Sequence, residues 1–280
     1  MPPISKLAFV VNDPKPGAAE LAEDLMAIAR AAGVAVISTR AHPVAVDFLA
    51  GQDACCVIGG DGTLLGIAAQ AARAGVPIIG VNRGNLGFLT TFSADNIRES
   101  FPSLLAGAFQ INHRSLLACS INGGPVDLAL NDVLIKAEVN SRIVGLEVTA
   151  DGQLVTDYDC DGLIFATPTG STAYNLSAGG PMVHPSAEVI ALTPICPHTL
   201  SNRSIIFRAE VRLAVRNLSP GITLQVTVDG QRDYRVSGNQ VITITHATER
   251  LPLVQRRDHD HFAVVRTKLK WAGGVTERNR

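Results

Sequence analysis

The chain has 280 residues, of which 46% are hydrophobic and 18% charged, and its formal net charge is −1. This composition is typical of a globular protein and excludes a disordered chain, and the absence of a basic block argues against binding to nucleic-acid phosphates. Five cysteines without a Cys-x-x-Cys pair, together with no apolar run of ~18 residues, predict a reduced cytoplasmic protein that does not cross a membrane.

The first third of the chain alternates short apolar strands with helices. We predict strands at residues 7–11, 34–38, 54–58 and 76–81, an amphipathic helix at 18–32, and a second helix after residue 63. Near-continuous apolar strands separated by helices are typical of a parallel sheet that is covered on both faces. The sequence therefore predicts an α/β nucleotide-binding domain over residues 1–107.

The second half of the chain alternates polar and apolar residues and predicts antiparallel strands. We place them at 111–121, 130–137, 143–150, 153–155, 204–215, 222–228 and 241–245. Asp-Gly-Gln follows a strand at 151–153 and again at 229–231, and Asp-Gly between strands predicts a type I′ hairpin turn. We expect a β-sandwich-like domain at 108–254, with about 255–280 packing back on the first domain. The basic residues at 266, 268 and 270 are interpreted as the solvated face of a strand.

A glycine-rich motif lies between the predicted strand at 54–58 and the helix after it. It reads Gly59-Gly60-Asp61-Gly62-Thr63. Glycines at a strand-to-helix turn leave backbone N–H groups bare, and with the helix N-terminus they can bind phosphate. A carboxylate is a poor anion ligand, so Asp61 fits a base or part of a magnesium site better. The alternative is a simple tight turn, because Asp-Gly is a common turn dipeptide.

Two further segments concentrate polar groups. Asn131-Asp132 precedes a strand and could bind vicinal hydroxyls, or it could simply be the turn that begins the strand. Residues 161–181 form an apolar strand followed by a loop rich in Gly, Thr and Ser, which suits phosphate or ribose oxygens but is also compatible with a plain polar loop. The lysine-containing phosphate loop and the Gly-x-Gly-x-x-Gly fingerprint are both missing. Nucleotide binding would therefore use another architecture.

Taken together, these motifs resemble those of the bacterial NAD kinases, which are related to diacylglycerol-type lipid kinases. The resemblance extends from about Lys6 to Trp271 and rests on residues 59–63, 81–89, 131–132, 161–180, 197–203 and 229–231. It implies an α/β N-terminal domain with a parallel sheet and an all-β C-terminal domain. It also implies transfer of the γ-phosphoryl group of ATP, or of polyphosphate, to the adenosine-ribose 2′-hydroxyl of NAD, giving NADP. A divalent metal such as Mg²⁺ and a homodimer or homotetramer are expected.

The resemblance also implies roles for individual residues. Asp61 is the general base, Gly62 contacts the dinucleotide, Asn131 and Asp132 hold ribose hydroxyls, and Asp161 lies at the nicotinamide end. The other implied binding residues are Gly59, Gly60, Thr63, Asn85, Phe88, Arg142, Asp159, Thr172, Ala173, Tyr174, Asn175, Leu176, Ser177 and Gln231.

Within that set, residues 172–177 would surround the adenine and its ribose, and Arg142 and Gln231 would line the pocket. Asp159 stands where many relatives carry a basic residue, which leaves NADH open as a second substrate.

Two other functions are compatible with parts of the sequence. A lipid kinase would need an apolar channel or a membrane-facing amphipathic element, and the sequence has neither. A catalytically silent nucleotide-binding regulator would have no chemical need for Asp61.

Overall fold

The computed structural model describes residues 2–84, 87–139, 142–199, 201–256 and 260–271. The chain divides into two compact units. One runs from the N-terminus to Asn112 and resumes at Pro252, and the other is His113–Leu251. The sequence analysis placed the corresponding boundaries after residues 107 and 254. Within the described residues, no helix combines the length and the apolar character needed to span a membrane.

The first unit contains a parallel sheet. Its strands are β1 (Lys6–Val11), β2 (Ala35–Thr39), β3 (Ala54–Gly59), β4 (Ile78–Asn82) and the two-residue β5 (Phe92–Ser93). The first three helices of this unit are α1 (Ala18–Ala31), α2 (Asp61–Ala74) and α3 (Ala94–Leu105). The strand order is β4-β3-β1-β2, and every neighbouring pair is parallel. The parallel α/β architecture predicted from the sequence is therefore confirmed.

Helices cover both faces of this sheet. Leu7 and Phe9 project from one face and pack in a core with α1 and α3, and the Phe9 and Phe101 rings lie 6.3 Å apart. Successive side chains of a strand point to opposite faces, and on the other face Leu64 of α2 packs against Gly80. Helix α3, which the sequence analysis did not predict, begins with a capping box formed by Ser93 and Asn96.

The connectivity of this sheet predicts where a ligand would bind. The chain passes from β1 to β2 on one side and then to β3 on the other side, so the order reverses at β1. Ligands of open α/β sheets bind beyond the carboxyl ends of the strands at such a reversal. Val11 pairs with Ile58, and Gly59 pairs with Asn82. The loops that follow β1, β3 and β4 therefore begin side by side.

The second unit consists of antiparallel strands. They are β6 (Gln110–Ile121), β7 (Val126–Ala129), β8 (Asp132–Ala137), β9 (Val144–Ala150), β10 (Gln153–Cys160), β11 (Gly162–Ala166), β12 (Val189–Ile195), β13 (Ile205–Arg208), β14 (Leu213–Asn217), β15 (Leu224–Val228), β16 (Arg232–Val236) and β17 (Val241–Gln255). One sheet has the order β13-β12-β11-β8-β15-β16, and the other contains β10-β9-β14-β17 with β6 and β7. Both sheets bury one face in a common core, as in a sandwich. A 3₁₀ turn (Gly170–Thr172) and the one-turn helix α4 (Tyr174–Ser177) follow β11.

Several predicted segments differ from the structure. The single strand expected at 204–215 is two strands, β13 and β14, and the strand expected at 241–245 extends to Gln255. The basic residues at 266 and 268 lie on helix α5 (His261–Leu269) and not on a strand, which corrects that interpretation. The Asp260 carboxylate caps this helix by accepting from the N–H groups of Phe262 and Ala263.

Both Asp-Gly pairs lie in hairpins. The turn at 151–152 joins the paired residues Ala150 and Gln153, and the three-residue connection 229–231 joins Val228 and Arg232. The Asp and Gly residues all have positive φ, at 50° and 81° for Asp151 and Gly152 and at 54° and 63° for Asp229 and Gly230. A type I′ turn requires this conformation at both central positions, and Asp and Gly are among the residues that tolerate it.

Candidate functional site

The glycine motif forms the turn between β3 and α2. Gly60 is the extended N-cap residue and Asp61 is the first residue of the helix. Thr63 is buried, and its hydroxyl accepts a hydrogen bond of 2.9 Å from the Asn12 side-chain amide. A Cβ on Gly59 would overlap the Thr63 side chain, so close packing requires glycine at that position. Gly62 has open space around it, which leaves its backbone accessible to a ligand.

The Asp61 carboxylate is held by the loop that follows β4. Oδ2 accepts from the N–H of Phe88 at 2.8 Å, and Oδ1 accepts from the N–H groups of Leu89 and Thr90 at 3.3 and 3.2 Å. The Thr90 hydroxyl donates to the same Oδ1 at 3.2 Å. A Cβ on Gly87 would overlap this carboxylate, so the loop reaches it only because residue 87 is glycine. Four donors therefore fix the orientation of a half-buried carboxylate.

Lys15, on the loop after β1, supplies a cation that the sequence analysis missed. Its Nζ lies 2.7 Å from the position that a Cβ on Gly60 would take, and the described residues give its side chain no hydrogen bond or ion pair. The N-terminus of α2 carries partial positive charge, and the Lys15 ammonium adds to it beside the glycine turn, next to the Asp61 carboxylate in the first turn of the helix. Lys15 and the glycine turn together form a site suited to phosphate.

Phe88 is half-buried and lies next to the C-terminal helix. The Lys268 ammonium is 5.9 Å from the centre of its ring, within the range of a cation–π interaction. Asn85, predicted as a binding residue in the same loop, lies outside the described residues.

In the second unit, Asn131 and Asp132 lie at the start of β8 with their backbone fully hydrogen-bonded. Neither side chain has a hydrogen bond to another described residue, although Asp132 is only 7% exposed. Burial first, and then the nearby charge of Asp229, raise the pKa of Asp132 to about 7. A buried carboxylate without a partner is costly in a folded protein. It is stabilised when a ligand supplies hydroxyl donors, and ribose hydroxyls have this chemistry.

The predicted adenine-binding segment 172–177 combines exposed and buried side chains. Tyr174 and Ser177 are exposed, and Thr172, Ala173 and Leu176 are half-buried. Asn175 is fully buried: its amide donates to the carbonyls of Ser171 and Pro181 and accepts from the Thr193 hydroxyl.

These contacts leave the Asn175 side chain occupied within the protein. It acts on the shape of the loop, whereas Tyr174 and Ser177 are the members of the segment that point to solvent. The contact of this segment with adenine stays a prediction.

A pocket of about 250 Å³ lies beside this segment. It brings together Arg142, Asp161 and Tyr174, all predicted binding residues, with Lys136 and the apolar Ala137, Val139 and Ile195. Lys136 is another residue that the sequence analysis did not single out.

Asp159 and Gln231 are both exposed and are not among the pocket residues. Asp159 lies near the end of β10, and Gln231 lies in the hairpin turn that carries Asp229. The predicted site residues therefore fall into two groups, one around Asp61 in the first unit and one in the second unit.

The described residues contain no group of three or more His, Cys, Asp or Glu side chains that could hold a metal ion. Mg²⁺ is usually bound through one or two carboxylates together with the phosphates of a substrate. The carboxylate of Asp61 beside the glycine turn fits a metal of this kind better than a metal held by protein ligands alone.

Comparison with known proteins gives a consistent result over nearly the whole chain. Residues 41–109 match the model of the ATP-NAD kinase N-terminal domain, and residues 130–256 match that of the ATP-NAD kinase C-terminal domain. The chain is 38% identical to an NAD kinase of Citrifermentans bemidjiense over 96% of its own length and 99% of that protein. It is also 38% identical to an NAD kinase of Moorella thermoacetica, over 96% of this chain and 91% of that protein.

Solved structures agree with this result. An Archaeoglobus fulgidus NAD kinase, solved in complex with ATP, is 27% identical with a TM-score of 0.80, covering 95% of this chain and 98% of that one. A yeast NADH kinase in complex with NADH has the same fold, with a TM-score of 0.89 at 21% identity over 99% of this chain and 90% of that one. The chain therefore belongs to the ATP-NAD kinase family.

Proposed function

We propose that this chain is an NAD kinase, which transfers the γ-phosphoryl group of ATP to the 2′-hydroxyl of the adenosine ribose of NAD. The observation that carries this proposal is the match, over nearly the full length of both chains, to bacterial proteins named NAD kinase. The matching family models cover Asp61 and the Asn131-Asp132 pair, the residues around which the two groups of candidate site residues are arranged.

The proposed chemistry assigns one step to Asp61. The ribose 2′-oxygen attacks the γ-phosphorus, its proton passes to the Asp61 carboxylate, and the bond from the γ-phosphorus to the β,γ-bridging oxygen breaks to release ADP. A secondary alcohol has a pKa far above 7, so a positioned base contributes typically ~10²–10⁴-fold to the rate. The orientation of the carboxylate by the Phe88–Thr90 loop supports this role.

The remaining assistance is electrostatic. We propose that Lys15 and the N–H groups of the glycine turn bind the phosphates of the donor, since both are positive and converge on one place. Asp61 would also contact a divalent metal, Mg²⁺ in the simplest case, held mainly by the donor phosphates. When bound, the metal would neutralise phosphate charge.

The acceptor would bind to the second group of residues. Asn131 and Asp132 would accept from and donate to the ribose hydroxyls, residues 172–177 would lie along the adenosine, and Asp161 would lie at the nicotinamide end. The pocket lined by Asp161, Tyr174 and Arg142 supports this assignment. Polyphosphate as a donor and NADH as an acceptor are further possibilities that the same assay can test.

We also propose a cytoplasmic homodimer or homotetramer. All five cysteines are free and four of them are buried, which suits a reducing compartment. The oligomeric state is carried over from the family resemblance. Sedimentation of the purified chain would test the oligomeric state.

The activity is tested by incubating the purified chain with ATP, Mg²⁺ and NAD, and by detecting NADP with an NADP-specific dehydrogenase. NADH and diacylglycerol serve as alternative acceptors and polyphosphate as an alternative donor. We expect NADP from the wild-type chain. A folded, NAD-binding chain that makes no NADP would favour a silent binding protein, and a phosphorylated lipid would favour a lipid kinase.

A further inference from the structure

Every backbone polar group of Leu130, Asn131 and Asp132 is hydrogen-bonded within the second unit. The three N–H groups donate to the Asp229 carboxylate, at 2.9, 2.7 and 3.2 Å respectively. The Thr167 hydroxyl donates to the Leu130 carbonyl at 2.5 Å, and the Thr167 N–H donates to the Asn131 carbonyl at 2.9 Å. The Asp132 carbonyl accepts from the N–H of Asp229 at 2.9 Å.

Steric contact reinforces this arrangement. Gly170 lies so close to the backbone of Asn131 that a Cβ on it would overlap the Asn131 carbonyl group. The Gly170 N–H donates to the Thr167 hydroxyl at 3.0 Å, so the loop after β11 is tied to the same three residues. The backbone at 130–132 is thus fixed from two sides, by the β15–β16 hairpin and by the loop after β11.

The side chains of Asn131 and Asp132 are left without partners in the described residues, in contrast to their backbone. The backbone of this segment uses six hydrogen bonds, whereas the carboxylate of Asp132, a residue only 7% exposed, receives no donor from the described residues. The peptide is fixed, and the side chains stay available to a ligand. Side chains on a fixed backbone bind with a smaller loss of conformational entropy.

Asp is the residue type that position 229 requires. Its φ of 54° lies in the left-handed region, which Asp and Asn tolerate. Three converging N–H donors need a group that only accepts hydrogen bonds, and an ionised carboxylate meets this need, whereas an Asn amide turns its NH₂ toward a donor. Burial raises the pKa of Asp229, and the three N–H bonds and Arg232, 4.0 Å away, oppose that effect and favour its charged form.

We infer that Asp229 is a positioning residue for NAD, which acts by holding Asn131 and Asp132 in the geometry that binds the ribose hydroxyls. This inference rests on the proposed function and adds a residue that the sequence placed in a hairpin turn and in the family motif at 229–231, without a role of its own. Asp229 would not touch the substrate itself. Its loss would weaken NAD binding and leave ATP binding unchanged.

The chain offers a matched control, because Asp151 occupies the same position in the other Asp-Gly-Gln hairpin. Asp151 has a φ of 50° and accepts from the Arg212 N–H and from the Arg208 side chain, away from Asn131. Asp229→Asn and Asp151→Asn keep the left-handed preference at their own turns and each remove one carboxylate. We expect Asp229→Asn to raise the KM for NAD about tenfold or more, with the KM for ATP unchanged. Asp151→Asn should change neither constant.

A second pair of variants keeps the test decisive if Asp229→Asn does not fold. Thr167→Val removes, at almost constant shape, both the hydroxyl bond to the Leu130 carbonyl and the bond from the Gly170 N–H, and Thr167→Ser retains them. We expect the Val variant to raise the KM for NAD and the Ser variant to restore it toward the wild-type value.

The inference is overturned if folded Asp229→Asn or Thr167→Val variants keep the wild-type KM for NAD, or if they raise the KM for ATP equally. The proposed function fails separately. In that case the wild-type chain makes no NADP. An Asp132→Ala variant that makes NADP with an unchanged KM for NAD would overturn the inference and leave the proposed function standing.

Discussion

Two carboxylates in this protein, Asp61 and Asp229, each accept hydrogen bonds from three backbone N–H groups of a segment distant in sequence. The two sets of hydrogen bonds have opposite consequences for what is held in place. Asp61 accepts from Phe88, Leu89 and Thr90 and is half-buried at a helix N-terminus, where a substrate can reach it. Asp229 accepts from the N–H groups of residues 130–132 and is 6% exposed. In the first case the loop positions the carboxylate, and in the second the carboxylate positions the segment. We therefore attribute the difference between their proposed roles, reactive for Asp61 and supporting for Asp229, to accessibility rather than to the hydrogen-bond pattern.

The largest expected effect comes from removing the charge at Asp61. Asp61→Asn keeps the shape, and its amide oxygen can still accept from Leu89 and Thr90 while its NH₂ group faces the Phe88 N–H. An amide cannot take the ribose proton. We expect kcat to fall by roughly 10²–10⁴-fold, with the Kd for NAD unchanged because Asn131 and Asp132 are intact. Stopped assays for NADP and calorimetry with NAD measure these quantities. Wild-type kcat in this variant would remove Asp61 from the role of base.

We predict that the stability of the protein depends on pH through Asp132, which lies beside Asp229. Burial and the charge of Asp229 raise the pKa of Asp132 in the folded state from the ordinary 3.8 to about 7. The native state therefore binds more protons than the unfolded state between these limits. The contribution of Asp132 to stability is therefore lost as pH rises from about 4 to 7.

Asp132→Asn removes this titration. At pH 8 the variant should exceed the wild type in free energy of unfolding by about 2–4 kcal/mol, and the difference should vanish near pH 4. Denaturant unfolding of both proteins at several pH values gives the curve. A difference that is constant with pH would show that Asp132 does not carry the raised pKa.

We also predict that Lys15, near Asp61, contacts the phosphates of ATP. Lys15→Met keeps most of the side-chain volume and removes the ammonium group beside Gly60. We expect the KM for ATP to rise about tenfold, since a charge-assisted hydrogen bond contributes about 1.5–3 kcal/mol, with the KM for NAD unchanged. Lys6→Met on β1, with Lys6 exposed, is the control. An equal rise in both KM values for Lys15→Met would contradict a role specific to the donor.

The smallest expected effect tests how the loop orients Asp61. Thr90 is 1% exposed, and its hydroxyl is one of the four donors to the carboxylate. Thr90→Val should lower kcat about fivefold, in keeping with the loss of about 1 kcal/mol from one hydrogen bond, while Thr90→Ser should keep the wild-type value. Equal kcat values for the two variants would mean that the backbone donors alone position the carboxylate.

The sequence predicted much of this protein, for identifiable physical reasons. Continuous apolar runs located β1, β3 and β4 because these strands are buried on both faces. Asp-Gly located the hairpins because few residues tolerate positive φ. Asp61 was predicted as the base through its glycine motif and its family resemblance.

The roles proposed for Lys15, Thr90 and Asp229 were not predicted from the sequence, for one common reason. Each acts through a contact with a residue distant in sequence, such as Asp229 with Asn131 across 98 positions, and no local pattern records such a contact. Helix α5 was taken for a strand because its hydrophobic residues have no clear period of 3.6.

The central claim is that the two carboxylates act on different steps, and steady-state kinetics of Asp61→Asn and Asp229→Asn with varied NAD tests it most directly. The account predicts that Asp61→Asn loses kcat at an unchanged KM for NAD. It predicts that Asp229→Asn raises the KM for NAD and retains most of kcat. If both variants lost kcat alone, or both raised the KM for NAD alone, the division between a reactive and a positioning carboxylate would be wrong.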